Sequence, residues 1–249
     1  MIIDIHTHIG TSLFGYKLTP DDLLALFKEL DIDGAVICPV KPFSYDFIDA
    51  NNYINDVCKE YPDKFIGFAR VDPWQKETAV NELKRCMEQF DFKGLFLNPY
   101  EEVFRINSEI VFPLVEIMEQ YKLPVMISGG HPRVSTAWQI GDLASKFPNV
   151  NFIVTSGGQI NISGAELWSA EIMLTENPNV FMETSGVYRE DFIEEMVQKL
   201  GPHRVIFGSN CPVYDLRLEI NRIHWAHISD EEKKAIIGEN AERLLMKKI

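Results

Sequence analysis

The sequence predicts an α/β fold: a single (β/α)8 TIM-barrel domain over residues 1–249, with extra helices at its C-terminal end. Three observations carry that expectation. Eight short apolar runs alternate with amphipathic stretches along the whole chain. The runs are apolar nearly throughout rather than alternating, as in parallel strands covered by helices on both faces. The length of 249 residues is also that of one eight-fold barrel, about 250 residues. An open doubly wound sheet would more often carry a Gly-x-Gly-x-x-Gly turn after its first strand, and the sequence has none.

Each element has its own signal. Residues 2–6 form the first strand. Thr19-Pro20-Asp21-Asp22 then supplies an N-cap, a proline at the first helical position and acids in the first turn of a helix over 20–30. Strands at 34–39, 65–71 and 94–98 alternate with helices over 45–61, 77–90 and 108–121. Strands at 124–128, 151–155, 180–184 and 205–209 alternate with helices over 136–147, 165–176 and 189–200. Ser229-Asp230-Glu231-Glu232 opens a capped helix, and residues from Glu239 open another; these would seal the C-terminal end.

Composition bounds the function. The net charge of −13 argues against nucleic-acid binding, which needs clustered Lys and Arg. It leaves open an anionic ligand, because a pocket can oppose the global sign. Cys38, Cys58, Cys86 and Cys211 are widely spaced, with no Cys-x-x-Cys pair, which favours free thiols in a reducing compartment. Met1 leads directly into a strand, and no apolar run approaches the ~20 residues of a membrane span. The expected setting is the cytoplasm, with no membrane partner.

In a barrel of this kind the chemistry sits at the C-terminal ends of the strands. The first strand ends in His6 and His8, and strict alternation would put Asp4, His6 and His8 on one face. Two imidazoles at that spacing suit one divalent metal. Later strands end in Arg70 with Asp72, in Asn98, in Ser128 with His131 and Arg133, in Thr155-Ser156, in Glu183 and in Asn210. Such a rim suits a small-molecule pocket. Asp72 and Glu183 are the carboxylates nearest the strand ends and are candidate catalytic bases. The alternatives are a cap in an Asp-Pro turn for Asp72 and a salt-bridged strand residue for Glu183. Arg70 and Arg133 are candidate anchors for a carboxylate. Asn98, Ser128, His131, Thr155 and Ser156 complete the candidate substrate contacts. His203, His224 and His227 fall away from this face and are expected to be structural or surface residues.

Five segments, in order, resemble the amidohydrolase-related branch of the amidohydrolase superfamily, TIM-barrel metal-dependent hydrolases and decarboxylases. They are Ile3-Asp4-Ile5-His6-Thr7-His8; Phe92 to Pro99; Leu123-Pro124-Val125-Met126-Ile127; Arg204 to Ser209 with Cys211-Pro212; and Asn240-Ala241 with Arg243-Leu244-Leu245. The resemblance implies a divalent metal, usually zinc, held by His6 and His8 and by residues on later strands. It implies a metal-binding His at the end of strand five, another at the end of strand six, and at the end of strand eight an Asp that also handles the proton of an attacking water. This chain has Ser128, Thr155 or Ser156, and Asn210 at those positions. An amide has no useful basicity, so Asn210 cannot replace the Asp as a base. The resemblance thus implies zinc or another divalent ion, while the replaced ligands leave a metal-free site as the alternative; the branch includes lactonases that work without metal. The resemblance implies hydrolysis of a small ester, lactone or amide, or decarboxylation of a small acid, by a protein that could form a homo-oligomer. The competing expectation is a non-catalytic ligand-binding or regulatory barrel.

Overall fold

Eight parallel strands stand side by side in a ring. In the computed structural model, which describes residues 1–159, 166–187, 189 and 191–245, they are β1 (Ile3–Thr11), β2 (Gly34–Pro39), β3 (Phe65–Gly67 continued by Ala69–Arg70), β4 (Leu95–Leu97), β5 (Val125–Ile127), β6 (Phe152–Val154), β7 (Val180–Glu183) and β8 (Val205–Ile206). The first half of β3 pairs with β2 and its second half with β4, so this strand turns a corner at Phe68. The pairing then runs without interruption from β4 to β8. Backbone hydrogen bonds join β1 to the chain leaving β8: Ile5 N–H to Phe207 O at 3.1 Å, Asn210 N–H to His6 O at 2.7 Å, and His8 N–H to Cys211 O at 2.8 Å. This seam closes the barrel and brings Asn210 beside the two histidines.

The barrel has two apolar layers. Ile3, Ile5, Val36, Ile66, Phe68, Phe96, Met126, Ile153, Phe181 and Ile206 fill the lumen. Neighbours of opposite parity, such as Ala35, Ile37, Leu95, Leu97, Val125 and Ile127, face outward into the helix layer. That division explains the near-continuous apolar runs, since both faces of each strand are buried. The outer layer comprises α1 (Pro20–Leu30), α2 (Ile48–Glu60), α3 (Glu77–Gln89), α4 (Phe112–Tyr121), α5 (Ala137–Lys146), α6 (Leu167–Glu176), α7 (Asp191–Leu200) and α8 (Leu216–Trp225). Thr19 and Asp22 form the capping box that starts α1, and Thr136 with Gln139 does the same for α5. After α9 (Asp230–Lys234) and a π-helical turn over Ala235–Glu239, α10 (Asn240–Leu245) sends Ala241, Leu244 and Leu245 into the lumen cluster with Ile3 and Ile5. The last helix thus plugs the mouth opposite the strand C-termini.

Several boundaries differ from the sequence expectation, each for a local reason. β1 continues past His6 to Thr11 because Gly10 and Thr11 pair antiparallel with Leu18 and Lys17. The helix expected over 45–61 begins at Ile48, where the Asp46 side chain accepts the Ile48 N–H at 2.9 Å. The one expected over 108–121 begins at Phe112, with Pro113 in its first turn. Residue 165, the expected start of α6, lies outside the described residues. No disulfide joins the four cysteines. No helix among the described residues is long and apolar enough to cross a membrane.

Candidate active site at the C-terminal mouth of the barrel

His6 and His8 meet at the floor of a cavity of about 600 Å³. Their Nε2 atoms are 3.0 Å apart and their rings stand at 77° to each other. Phe96 of β4 supports both rings, with centroids 5.6 Å from His6 and 4.9 Å from His8. Burial pushes the His6 imidazole down to about 3. It also pushes His8 well below the ordinary histidine value, helped by the neighbouring His6 and Arg70. Both rings are therefore neutral near pH 7, and one Nε2–H donates to the other Nε2.

Asp4 does not join them as strict alternation had implied. Ile3 and Ile5, of the opposite parity, face the lumen, and the register of β1 against β2 shifts between Asp4 and Thr7. That irregularity turns His6 and His8 inward as well. Asp4 instead spans the barrel seam, with Oδ1 accepting the N–H of Ser209 at 2.9 Å and of His6 at 3.0 Å. Burial holds its carboxyl up at about 7.

Glu183, at the end of β7, lies behind His6 rather than in the cavity wall. Its Oε2 is 3.6 Å from His6 Nδ1. The same carboxyl accepts the Ser185 N–H at 2.9 Å, the Ser185 hydroxyl at 2.8 Å and the Ser156 N–H at 3.1 Å. Burial outweighs these bonds and raises its pKa to about 7. Gly208 makes room for it: a Cβ there would stand 2.3 Å from Glu183 Oε1.

Among the residues read from the sequence, the cavity brings together His6, His8, Arg70, Asn98, Ser128, His131, Thr155, Ser156 and Asn210. Asn210 sits in the left-handed region at φ 54°, with its carboxamide beside His8. Ser156 has the same φ and begins the turn that carries Gly157 and Gly158. Thr155 Oγ1 accepts the Gly129 N–H at 3.1 Å, which ties the ends of β5 and β6 together. His131 stacks on Tyr100 across the rim at 4.7 Å. Asp72 and Arg133 are not in the cavity wall. Asp72 Oδ1 accepts the Trp74 N–H at 3.0 Å and caps the short 3-10 turn after β3, and Arg133 is exposed. His203, His224 and His227 are exposed away from the cavity.

The sequence reading missed Lys41, Glu101 and Gln159, among other residues of the cavity lining. Lys41, two residues past β2, lines the cavity with its side chain 2% exposed. It shares Glu102 Oε1 with Arg70, at 2.9 Å and 2.8 Å respectively. Arg70 also pairs with Glu101 and donates to Pro39 O at 3.1 Å, and its guanidinium lies 5.1 Å from the Phe47 ring and 5.3 Å from the Phe96 ring. Arg70 is thus held in an Arg70–Glu101–Glu102 cluster. Gln159 lines the cavity as well. The only available signals were positional: Lys41 follows the Cys38-Pro39 strand end and Gln159 follows the Gly157-Gly158 pair.

Among the described residues, no group of three or more His, Cys, Asp or Glu is placed to hold a metal ion. Beside the two imidazoles, the cavity lining includes the hydroxyls of Ser128, Thr155 and Ser156 and the amide of Asn210.

A ring of eight parallel strands wrapped by helices, with a polar cavity at the strand C-termini, defines a TIM barrel with its pocket at the customary mouth. Within that class the chain belongs to the amidohydrolase family, whose sequence model, described as Amidohydrolase, matches residues 3–246. It is 21% identical to the gamma-resorcylate decarboxylase of Polaromonas sp. (strain JS666 / ATCC BAA-500), over 78% of this chain and 74% of that one. Its fold matches 5-carboxyvanillate decarboxylase from Sphingomonas paucimobilis with a TM-score of 0.78 at 14% identity, covering 99% of both chains. It matches a dihydroxybenzoic acid decarboxylase from Polaromonas sp. JS666, solved with manganese and the inhibitor 2-nitroresorcinol, with a TM-score of 0.76 at 16% identity over 98% and 96% of the two chains.

Proposed function

We propose that this protein removes the carboxyl group of a small carboxylic acid held in the mouth cavity, with His6, His8 and Glu183 handling the proton. The observation that carries this reading is the neutral imidazole pair, Nε2 to Nε2 at 3.0 Å, with a buried carboxyl near pKa 7 behind it. In such a reaction the bond from the reacting carbon to the carboxylate breaks and its electron pair stays on the carbon. That carbon takes a proton and CO2 leaves. The protein must therefore orient the acid and deliver one proton. Glu183 near 7 can hold that proton at neutral pH. The His6 ring spans the gap, with Nδ1 toward Glu183 and Nε2 toward the cavity. Arg70 and Lys41 face the charge of the acid, while Asn98, Ser128, His131, Thr155 and Ser156 offer hydrogen bonds. Asn210 positions His8 and is no base, because an amide does not ionise.

The residues present do not fit a catalytic divalent cation such as zinc or manganese. Open zinc sites use three protein ligands drawn from imidazole, thiolate and carboxylate. Here two neutral nitrogens converge, and the nearest carboxylate, Glu183, approaches His6 from the opposite edge of the ring. Family relatives that decarboxylate aromatic acids support the reaction class. Thiols without disulfides suit the reducing cytoplasm.

A second reading, a ligand-binding barrel without turnover, is supported by the replacements that the resemblance implies: uncharged Ser128, Thr155 or Ser156, and Asn210 at the three expected ligand positions. One experiment separates the readings. The protein is incubated in D2O with 2,6-dihydroxybenzoate, with 5-carboxyvanillate and with a simple γ-lactone, and followed by proton NMR. Decarboxylation with one deuterium at the vacated carbon is expected. Saturable binding with no product identifies the binding barrel, and lactone opening with both acids intact identifies a hydrolase.

A further inference from the structure

Gln159 lines the mouth cavity at the end of the turn that follows β6. Its backbone is anchored by a hydrogen bond from its N–H to Ser156 O at 3.2 Å. The residue is 1% exposed, yet neither Nε2 nor Oε1 has a hydrogen-bond partner among the described residues. A buried amide missing both partners is rare and destabilising. Two polar oxygens of the wall already have a partner within the protein, whereas the Gln159 amide has neither of its two among the described residues. Thr155 Oγ1 accepts from Gly129, and Asn98 Oδ1 accepts the Glu101 N–H at 3.3 Å.

We propose that Gln159 is a specificity-determining contact that reads a paired donor and acceptor on the substrate, namely the adjacent hydroxyl and carboxylate of a hydroxy acid. The inference rests on the small-acid reading and narrows it. A carboxamide presents an N–H donor and a carbonyl acceptor in one plane. A bare carboxylate has acceptors only, so it satisfies Nε2 and leaves Oε1 buried without a donor. A hydroxyl next to the carboxylate donates to Oε1 and completes both bonds. A site built this way discriminates against the analogue lacking the hydroxyl, because binding that analogue leaves the protein's own polar atom bare.

Gln159→Leu keeps the size of the side chain and removes both hydrogen-bonding atoms; Gln159→Met is a second variant of similar volume. Calorimetric titration with 2,6-dihydroxybenzoate and with benzoate is paired with melting curves. The wild type is expected to prefer the hydroxylated acid by about 10–100-fold. In either variant that preference should fall to about twofold or less, with Tm unchanged or raised because an unsatisfied polar group has been removed. A retained preference, or a fall in Tm in both variants, overturns the assignment, since it shows an amide that serves the fold. If the wild type binds neither acid, the small-acid reading fails, and the melting curves still decide whether the amide is left for a ligand: an unchanged or raised Tm supports that role and a lowered Tm overturns it.

Discussion

His6→Gln is expected to lower turnover by about 10²–10⁴-fold, the usual contribution of a positioned acid–base group, while acid binding changes far less. Glutamine approximates the imidazole in volume and can hydrogen-bond His8, but its amide neither accepts nor releases a proton near neutrality. Glu183→Gln should lower the rate as well and should also change its pH dependence. Because the Glu183 carboxyl sits at about 7 rather than near 4.5, the folded protein holds that proton through the neutral range. The wild-type rate should therefore fall as pH rises through 7, and the variant should lack this alkaline limb. The same raised value has a stability consequence. A carboxyl whose pKa is raised by folding contributes stability that is present below its ordinary value and lost as pH rises through about 7. Glu183→Gln should consequently gain melting temperature relative to wild type above pH 7 and lose that advantage below pH 5. His6 acts in the opposite direction: held down at about 3, its contribution is lost as pH falls below the ordinary 6.5. Steady-state rates and melting curves from pH 5 to 9 check both statements.

Glu102→Gln should be the most destabilising conservative change at the site. The Glu102 side chain is fully buried and its Oε1 faces both Lys41 Nζ and Arg70 Nη2. Removing one partner from a buried ion pair leaves uncompensated charge and costs roughly 3–5 kcal/mol. For a chain of this length that lowers Tm by about 10 °C. Glu101 cannot take over, because it already pairs with Arg70 and is more exposed. A double change that also replaces Lys41 by Met should recover part of the loss, since it removes one of the two stranded cations. Differential scanning calorimetry of the single and double variants measures that coupling, and additive losses would contradict it.

Much of the site was legible in the strand ends. His6 and His8 stand out because a polar His-x-His interrupts an apolar run, and the positions of Asn98, Ser128, Thr155, Ser156 and Asn210 follow once eight strands close into a ring. The orientation of Asp4 was hidden because it depends on a register shift in β1, where the strand meets the chain leaving β8. The Lys41–Arg70–Glu102 cluster was hidden for a related reason. It joins loops 61 residues apart in sequence, and no local spacing encodes that contact. Asp72 shows the reverse case, in which the local Asp-Pro signal was a sound guide: its side chain caps the turn that the dipeptide suggests.

The central claim is that imidazole and carboxyl groups carry the chemistry of this barrel in place of a bound cation. Calorimetric titration of the purified protein with zinc and with manganese tests it most directly. The account predicts no stoichiometric site in the wild type, turnover unaffected by chelator, and a newly gained site in the triple variant Ser128→His, Thr155→His, Asn210→Asp. One-to-one binding to the wild type that disappears in His6→Gln and rises in step with activity would contradict it.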